Sequence, residues 1–319
     1  MKKITYIRST LIMLLTVCFL YAGCVYAEST ETEADISGTE GGSIETEAKN
    51  SHDLIAIISA MDNEIELLLE HADIDHEDQF GNKTYHVGTL CGKPVIIVRA
   101  GIGKIDAAAG VATLLNMYQP SDVIFTGIAG GVGDSTKVLD LVVATDLVQH
   151  DYGVMTNDGF QWSGATIGGR KYYMCDPELV NLAHDNAVQI LGKEHVFEGT
   201  IATGDQFISS EDYVRTLQED FGAIACEMEG AAVGKICTEY EVPFVVIRSM
   251  SDKADGKAHE TYTNMGDIAA DNSCRIVMGM LEDMAAEEAA PDTSDGQSVE
   301  AAETEEVLTE AEAAEEKAA

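Results

Sequence analysis

Apolar residues follow two rhythms between positions 51 and 284. Short unbroken runs bounded by glycine or polar residues read as buried strands: Leu54 to Ala60, Val123 to Thr126, Ala223 to Glu227 and Phe244 to Arg248. The β-branched stretch Val138 to Val148 reads the same way. Tyr85 to Leu90 and Val95 to Arg99 flank Cys91-Gly92-Lys93-Pro94, which reads as a hairpin-like turn. Helical spacing covers Glu64 to His71, Gly103 to Tyr118, Pro177 to Leu191, Ser210 to Phe221, Gly230 to Tyr240 and Asn264 to Met284. Strands alternating with helices predict a three-layer αβα sandwich. The hairpin makes its central β-sheet mixed. About 230 residues can bury one large core, so 51–284 reads as one domain.

The two ends follow other rules. Lys2, Lys3 and Arg8 precede an apolar run from Leu11 to Tyr21, the layout of a signal peptide over 1–27. Two exits follow: a small-x-small site ending at Ala27, or a weak lipobox placing a lipid on Cys24. The run is shorter than the roughly 20 apolar residues that span a bilayer. The expectation is export, with the protein either released or tethered outside the cytoplasmic membrane through Cys24. Residues 28–50 hold seven acids, one Lys and no aromatic residue, so they read as a disordered linker. Residues 285–319 read as an acidic Ala/Glu-rich low-complexity tail, interrupted by Pro291.

Charge narrows the partners. The chain carries a formal −37. The linker holds −6, the stretch from Glu282 onward −13 and the signal +3, which leaves −21 on the middle. Such a surface repels phosphate backbones, so nucleic acid is a poor partner. Cys91, Cys175, Cys226, Cys237 and Cys274 form no CxxC, and the last three lie in apolar or helical settings. They read as small buried hydrophobes rather than a disulfide framework or metal cluster.

Three carboxylates stand where an open α/β sheet builds its site. Glu64 lies just beyond IAIISAMDNE's apolar run, Glu229 closes CEMEG, and Asp252 ends VVIRSMSD. A site made of acids points to proton transfer on an organic substrate. Gly101-Ile102-Gly103 and the Gly127–Gly133 cluster each follow a strand, where N–H groups can face a ligand. Neither matches a P-loop or a dinucleotide fingerprint, so no cofactor is implied.

IISAMDNEIELL, AGIGKIDAAA, FTGIAGGV, ATGDQFI, CEMEGAAV and VVIRSMSD together resemble the 5′-methylthioadenosine/S-adenosylhomocysteine nucleosidases of the nucleoside phosphorylase superfamily. The resemblance covers roughly 53–284. It implies a nucleoside phosphorylase/hydrolase-like fold, a homodimer, cofactor-free hydrolysis of an N-glycosidic bond and release of adenine. It casts Asp252 as the acid that protonates N7 of the leaving base, and Glu64 as the base that deprotonates water. Glu229 then accepts hydrogen bonds from the ribose hydroxyls, with Glu227 beside it. Met61 and Met228 contact the ribose or its 5′-substituent. Phe207 stacks on the base, and the Ile208 backbone reads its edge. Ala129 and Gly130 form wall, Ser251 supports Asp252, and Arg248 either holds a carboxylate or supports the fold.

Rivals stay open. A phosphorylase would need cations converging on phosphate, and the middle section has only 14 Lys and Arg. Futalosine, adenosine or inosine would keep the same three acids. An exported nucleoside-binding protein would not need an acid and a base. The segment His150 to Trp162 is expected near the 5′ end of the substrate or a neighbouring subunit, with Trp162 either exposed for that role or simply packed.

Overall fold

The structure, a computed structural model, describes residues 53–162 and 172–289. The expected signal peptide, the linker and the tail beyond 289 lie outside them. Strand β1 (Ile55–Ser59) leads through a 3-10 turn (Asp62–Glu64) into helix α1 (Glu66–His71). Strands β2 (Asp73–Phe80), β3 (Lys83–Leu90) and β4 (Lys93–Arg99) precede helix α2 (Lys104–Tyr118). Then come β5 (Asp122–Gly131), β6 (Leu141–Gln149), β7 (Gly153–Thr156), β8 (Gly159–Trp162) and the short β9 (Tyr173–Met174). Helix α3 (Pro177–Leu191), β10 (Val196–Thr203), α4 (Glu211–Phe221), β11 (Ala223–Glu227), α5 (Gly230–Tyr240), β12 (Phe244–Asp252) and α6 (Ala258–Ala289) complete the order.

The main sheet runs β11-β10-β6-β12-β5-β1-β4-β3-β2 and is mixed. Strands β4, β1, β5 and β12 are mutually parallel, so their carboxyl ends meet on one edge. Strand β12 lies antiparallel to β6, and β11 returns antiparallel against β5 at Ala225–Gly131 and Cys226–Gly130. That last pairing curls the sheet and carries the end of β11 back over the carboxyl edge of β5. Helices α2 and α5 pack together, while α1 and α3 pack on α6, which lies along β12 and β5. The central strands are buried on both faces and therefore read as continuous apolar runs.

Several boundaries move. The hairpin turn is the two residues Cys91-Gly92, with φ of 50° and 83°, the left-handed pair a tight twisted hairpin needs. Strand β12 continues past Arg248 to Asp252, and β5 continues past Thr126 to Gly131. The strand expected from Val138 starts only at Leu141, and the last helix starts at Ala258 rather than Asn264. Strands β2, β7, β8, β9 and β10 carried no expectation. Trp162 donates to the Gln149 carbonyl at 2.6 Å and meets Phe221 edge-on at 5.3 Å, so it is packed within its own chain. The five cysteines among the described residues are free thiols, all but Cys91 buried.

Candidate active site

The carboxyl edge of the parallel strands opens into a cavity of about 290 Å³ with mostly apolar walls. Eleven of the twelve residues expected at the site line it: Met61, Glu64, Ala129, Gly130, Phe207, Ile208, Glu227, Met228, Glu229, Ser251 and Asp252. Each comes from a strand end or the turn after it, which is why residues nearly 200 positions apart share one space.

Glu64 is fixed first by backbone. The chain turns sharply after β1, and the carboxylate folds back to accept from Ala60 N at 2.9 Å and Met61 N at 2.8 Å through Oε2. Its Oε1 accepts from Ile128 N at 2.9 Å. Gly127 is needed beside it, because a Cβ there would collide with Glu64 Oε1 and Arg248 Nη1. Burial pushes the Glu64 carboxyl up from its ordinary value, while the Arg248 charge and the three N–H groups oppose that rise.

Asp252 ends β12 in a different setting. Its Oδ1 accepts from Ala254 N at 2.7 Å and its Oδ2 from Ser251 Oγ at 2.8 Å. Gly130, paired with Asp252 across the strands, leaves room for it: a Cβ there would lie 3.0 Å from Oδ1. Burial raises the Asp252 pKa, opposed by those two hydrogen bonds, and the nearby Asp255 charge adds to the rise more than Lys253 relieves it. Among the described residues no guanidinium touches it. A buried carboxyl whose neighbouring acid outweighs its neighbouring cation is suited to holding a proton.

Arg248 takes the first of its two expected readings and holds carboxylates rather than contacting a ligand: it is fully buried and does not line the cavity. Its guanidinium lies 4.1 Å over the Phe125 ring, donates to Thr126 O at 3.1 Å and pairs with Glu227 Oε2 at 2.6 Å, with Glu229 Oε2 at 3.6 Å. Burial works against its charge, but Glu227, Glu64 and Glu229 hold its pKa above the ordinary value. It is the countercharge beneath three acids.

Glu227 and Glu229 also depart from expectation. Two-residue spacing along a strand would put both on one face. Instead, β11 stops at Glu227 and Glu229 is the N-cap of α5. Glu227 accepts from Glu229 N at 3.0 Å, Gly230 N at 2.7 Å and Thr203 Oγ1 at 2.5 Å, besides Arg248. With both oxygens taken, it anchors the start of α5. Among the described residues, Glu229 is tied by Gly103 N at 2.7 Å and the longer Arg248 contact. Burial and the Glu227 charge push its pKa up to about 8. It keeps acceptor capacity for a ligand.

Seven further residues line the cavity: Ala60, Ile102, Ile128, Gln206, Cys226, His259 and Tyr262. Tyr262 donates to Met61 Sδ at 3.7 Å, and the half-exposed Phe207 ring meets Tyr262 and His259 edge-on at 6.1 and 6.5 Å. His259 and Tyr262 belong to the first two turns of α6, ahead of its expected start. Ile102 sits inside Gly101-Ile102-Gly103, a signal that was visible.

Residues 54–282 match the family model described as Phosphorylase superfamily. A 5′-methylthioadenosine/S-adenosylhomocysteine nucleosidase of Hydrogenovibrio crunogenus is 38% identical over 228 residues, 71% of this chain and 97% of that protein. The crystal structure of the nucleosidase of the same name from Neisseria meningitidis, in complex with methylthio-immucillin-A, superposes with a TM-score of 0.67 at 34% identity. It covers 72% of this chain and 99% of that one. The native structure of a futalosine hydrolase from Helicobacter pylori superposes with a TM-score of 0.67 at 31% identity, over 72% of this chain and 98% of that one.

Proposed function

As the chain belongs to the Phosphorylase superfamily, we propose that its cavity hydrolyses the N-glycosidic bond of 5′-methylthioadenosine and S-adenosylhomocysteine, releasing adenine and the 5-thio-substituted ribose. The relatives' names supply the substrate class. The observation that carries the reaction type is the cavity wall: it presents Glu64, Glu229 and Asp252, and no Lys or Arg among the described residues lines it. Phosphorolysis needs cations on a phosphate oxyanion. Arg248 lies outside the cavity, bound to Glu227.

The roles follow from the surroundings. Asp252, protonated, donates to N7 so that adenine leaves neutral. Positive charge then grows on the ribose. Glu229 accepts from the ribose hydroxyls, and the Glu64 carboxylate makes the site favourable to that charge. Glu64 takes a proton from the water that attacks the anomeric carbon. Apolar walls keep other water out and strengthen each interaction. The test is cleavage in 18O-labelled water, with and without phosphate, of methylthioadenosine, S-adenosylhomocysteine, futalosine and inosine. Adenine and a ribose carrying 18O at C1 are expected, independent of phosphate. A sugar 1-phosphate, or cleavage of futalosine or inosine alone, overturns the reading.

The assembly and address belong to the same proposal. The protein is a homodimer, a reading supported by the apolar, largely exposed Ile105, Met155 and Met174. It is exported, with cleavage near Ala27 or a lipid on Cys24, a reading supported by Lys2, Lys3, Arg8 and the apolar run that follows. Sedimentation at micromolar concentration tests the first, and an active monomer would refute it. Mass spectrometry of the native N-terminus tests the second, and an intact Met1 would refute it.

A further inference from the structure

Glu229 owes its direct backbone contact to a turn that is itself tied down from two sides. Gly103 N donates to Glu229 Oε1 at 2.7 Å. Gly103 has φ of 93°, and a Cβ there would lie 3.1 Å from Asp205 Oδ1, so the turn needs glycine. The next residue, Lys104, is the hub. Its N–H donates to Asp205 Oδ1 at 2.8 Å, and its Nζ reaches Asp151 Oδ1 at 2.6 Å and Asp205 Oδ2 at 3.5 Å. Asp151 Oδ2 in turn accepts from Asp205 N at 2.9 Å.

These bonds join three loops that follow different strands: 100–103 after β4, 150–152 after β6, and 204–210 after β10. Isolated surface ion pairs are worth little. This one differs, because the Lys104 and Asp151 side chains keep only 18% and 17% of their exposure, Lys104 Nζ also reaches Asp205, and Asp151 also accepts from Asp205 N. His150 N on Thr203 O at 3.0 Å and Gly204 N on Glu227 O at 3.1 Å hold the second and third loops to the same framework.

We propose that Lys104, Asp151 and Asp205 form a clasp that positions the Glu229 carboxylate on the ribose, acting through the Gly103 N–H. They are positioning residues and touch no reacting atom. The inference rests on the nucleoside reading of the cavity. Loosening the clasp lets the Gly103 turn drift, and Glu229 loses its fixed donor and its orientation. The ribose hydroxyls then feel the loss most, because Asp252 is held outside the three loops and Phe207, in loop 204–210, keeps its ring contacts with Tyr262 and His259.

The test is calorimetric binding of three ligands to the wild type, Lys104→Met and Lys104→Arg: adenine, a nonhydrolysable adenosine analogue, and that analogue lacking its 2′ and 3′ hydroxyls. Lys104→Met is expected to bind the intact analogue about tenfold more weakly, the scale of one charge-assisted hydrogen bond. Adenine and the dideoxy analogue, which feel only the Phe207 loop, should weaken clearly less than that, and Lys104→Arg should restore the intact analogue. Equal weakening of all three ligands, no weakening at all, or failure of Lys104→Arg to restore binding overturns the clasp. A wild-type protein that binds none of them overturns the nucleoside reading itself, and the clasp's role with it.

Discussion

Glu64, in the turn after β1, and Asp252, at the end of β12, sit on either side of β5 across one cavity, and burial pushes both carboxyls up. Their partners separate them. Glu64 accepts three backbone N–H groups and feels Arg248, all of which favour the charged form. Among the described residues, Asp252 has one N–H, one hydroxyl and the Lys253 charge, offset by Asp255, but no guanidinium. Burial alone therefore does not assign an acid and a base. The count of fixed donors and the reach of one countercharge set the two apart, with Glu64 the better supported in its charged form.

The largest effects should come from removing either carboxyl's proton chemistry. Asp252→Asn and Glu64→Gln are each expected to slow single-turnover cleavage of methylthioadenosine by about 10²–10⁴-fold, with binding of an unreactive analogue retained in Asp252→Asn. Near-normal rates in both would break the division of roles. Arg248→Met comes next. It leaves Glu64, Glu227 and Glu229 buried without their shared cation, and urea unfolding should show a loss of about 3–5 kcal/mol. An unchanged midpoint would mean the three acids do not depend on it.

A smaller effect is expected on the pH axis. The Ser251 hydroxyl opposes the rise of the Asp252 pKa, so Ser251→Ala should raise that pKa further. The alkaline limb of kcat/KM then moves to higher pH, with turnover reduced about three- to tenfold. A shift to lower pH would contradict the assignment of Asp252 as the acid. The smallest effect concerns Glu229. Its pKa lies near 8 in the folded chain against 4.5 as an ordinary carboxyl, so the folded state holds the extra proton between those values. Its contribution to stability is present below the lower value and is lost as pH rises through the upper one. The melting temperature of the ligand-free protein should fall from pH 5 to pH 8, and fall less in Glu229→Gln. Equal slopes would refute the shift.

The sheet's centre was legible because β1, β5, β11 and β12 are buried on both faces and read as apolar runs. Its polar margin was not. Strand β2, DIDHEDQF, is an edge strand whose residues are mostly exposed, so no alternation marks it. Strand β10 hides its buried Ile201-Ala202-Thr203 end behind the polar Glu198-Gly199-Thr200. At the site, Glu64, Glu229 and Asp252 were visible as acids at strand ends. The division of labour between Glu227 and Glu229 was not, because it depends on where β11 gives way to α5. Arg248 sits in an apolar run near the acids, and sequence cannot say that its guanidinium lies below them rather than among them. His259 and Tyr262 were missed because the KAHETY stretch carries too little apolar periodicity to extend the last helix forward.

The most direct test of the Asp252–Glu64 contrast changes the leaving group. The p-nitrophenolate released from p-nitrophenyl 5-methylthioriboside departs as a stable anion and needs no proton, whereas adenine does. The account predicts that Asp252→Asn cleaves this nitrophenyl riboside within about tenfold of the wild-type rate while losing about 10²–10⁴-fold on methylthioadenosine, and that Glu64→Gln loses both activities. Equal losses on both substrates in Asp252→Asn, or a Glu64→Gln enzyme that still hydrolyses the nitrophenyl riboside at the wild-type rate, would contradict it.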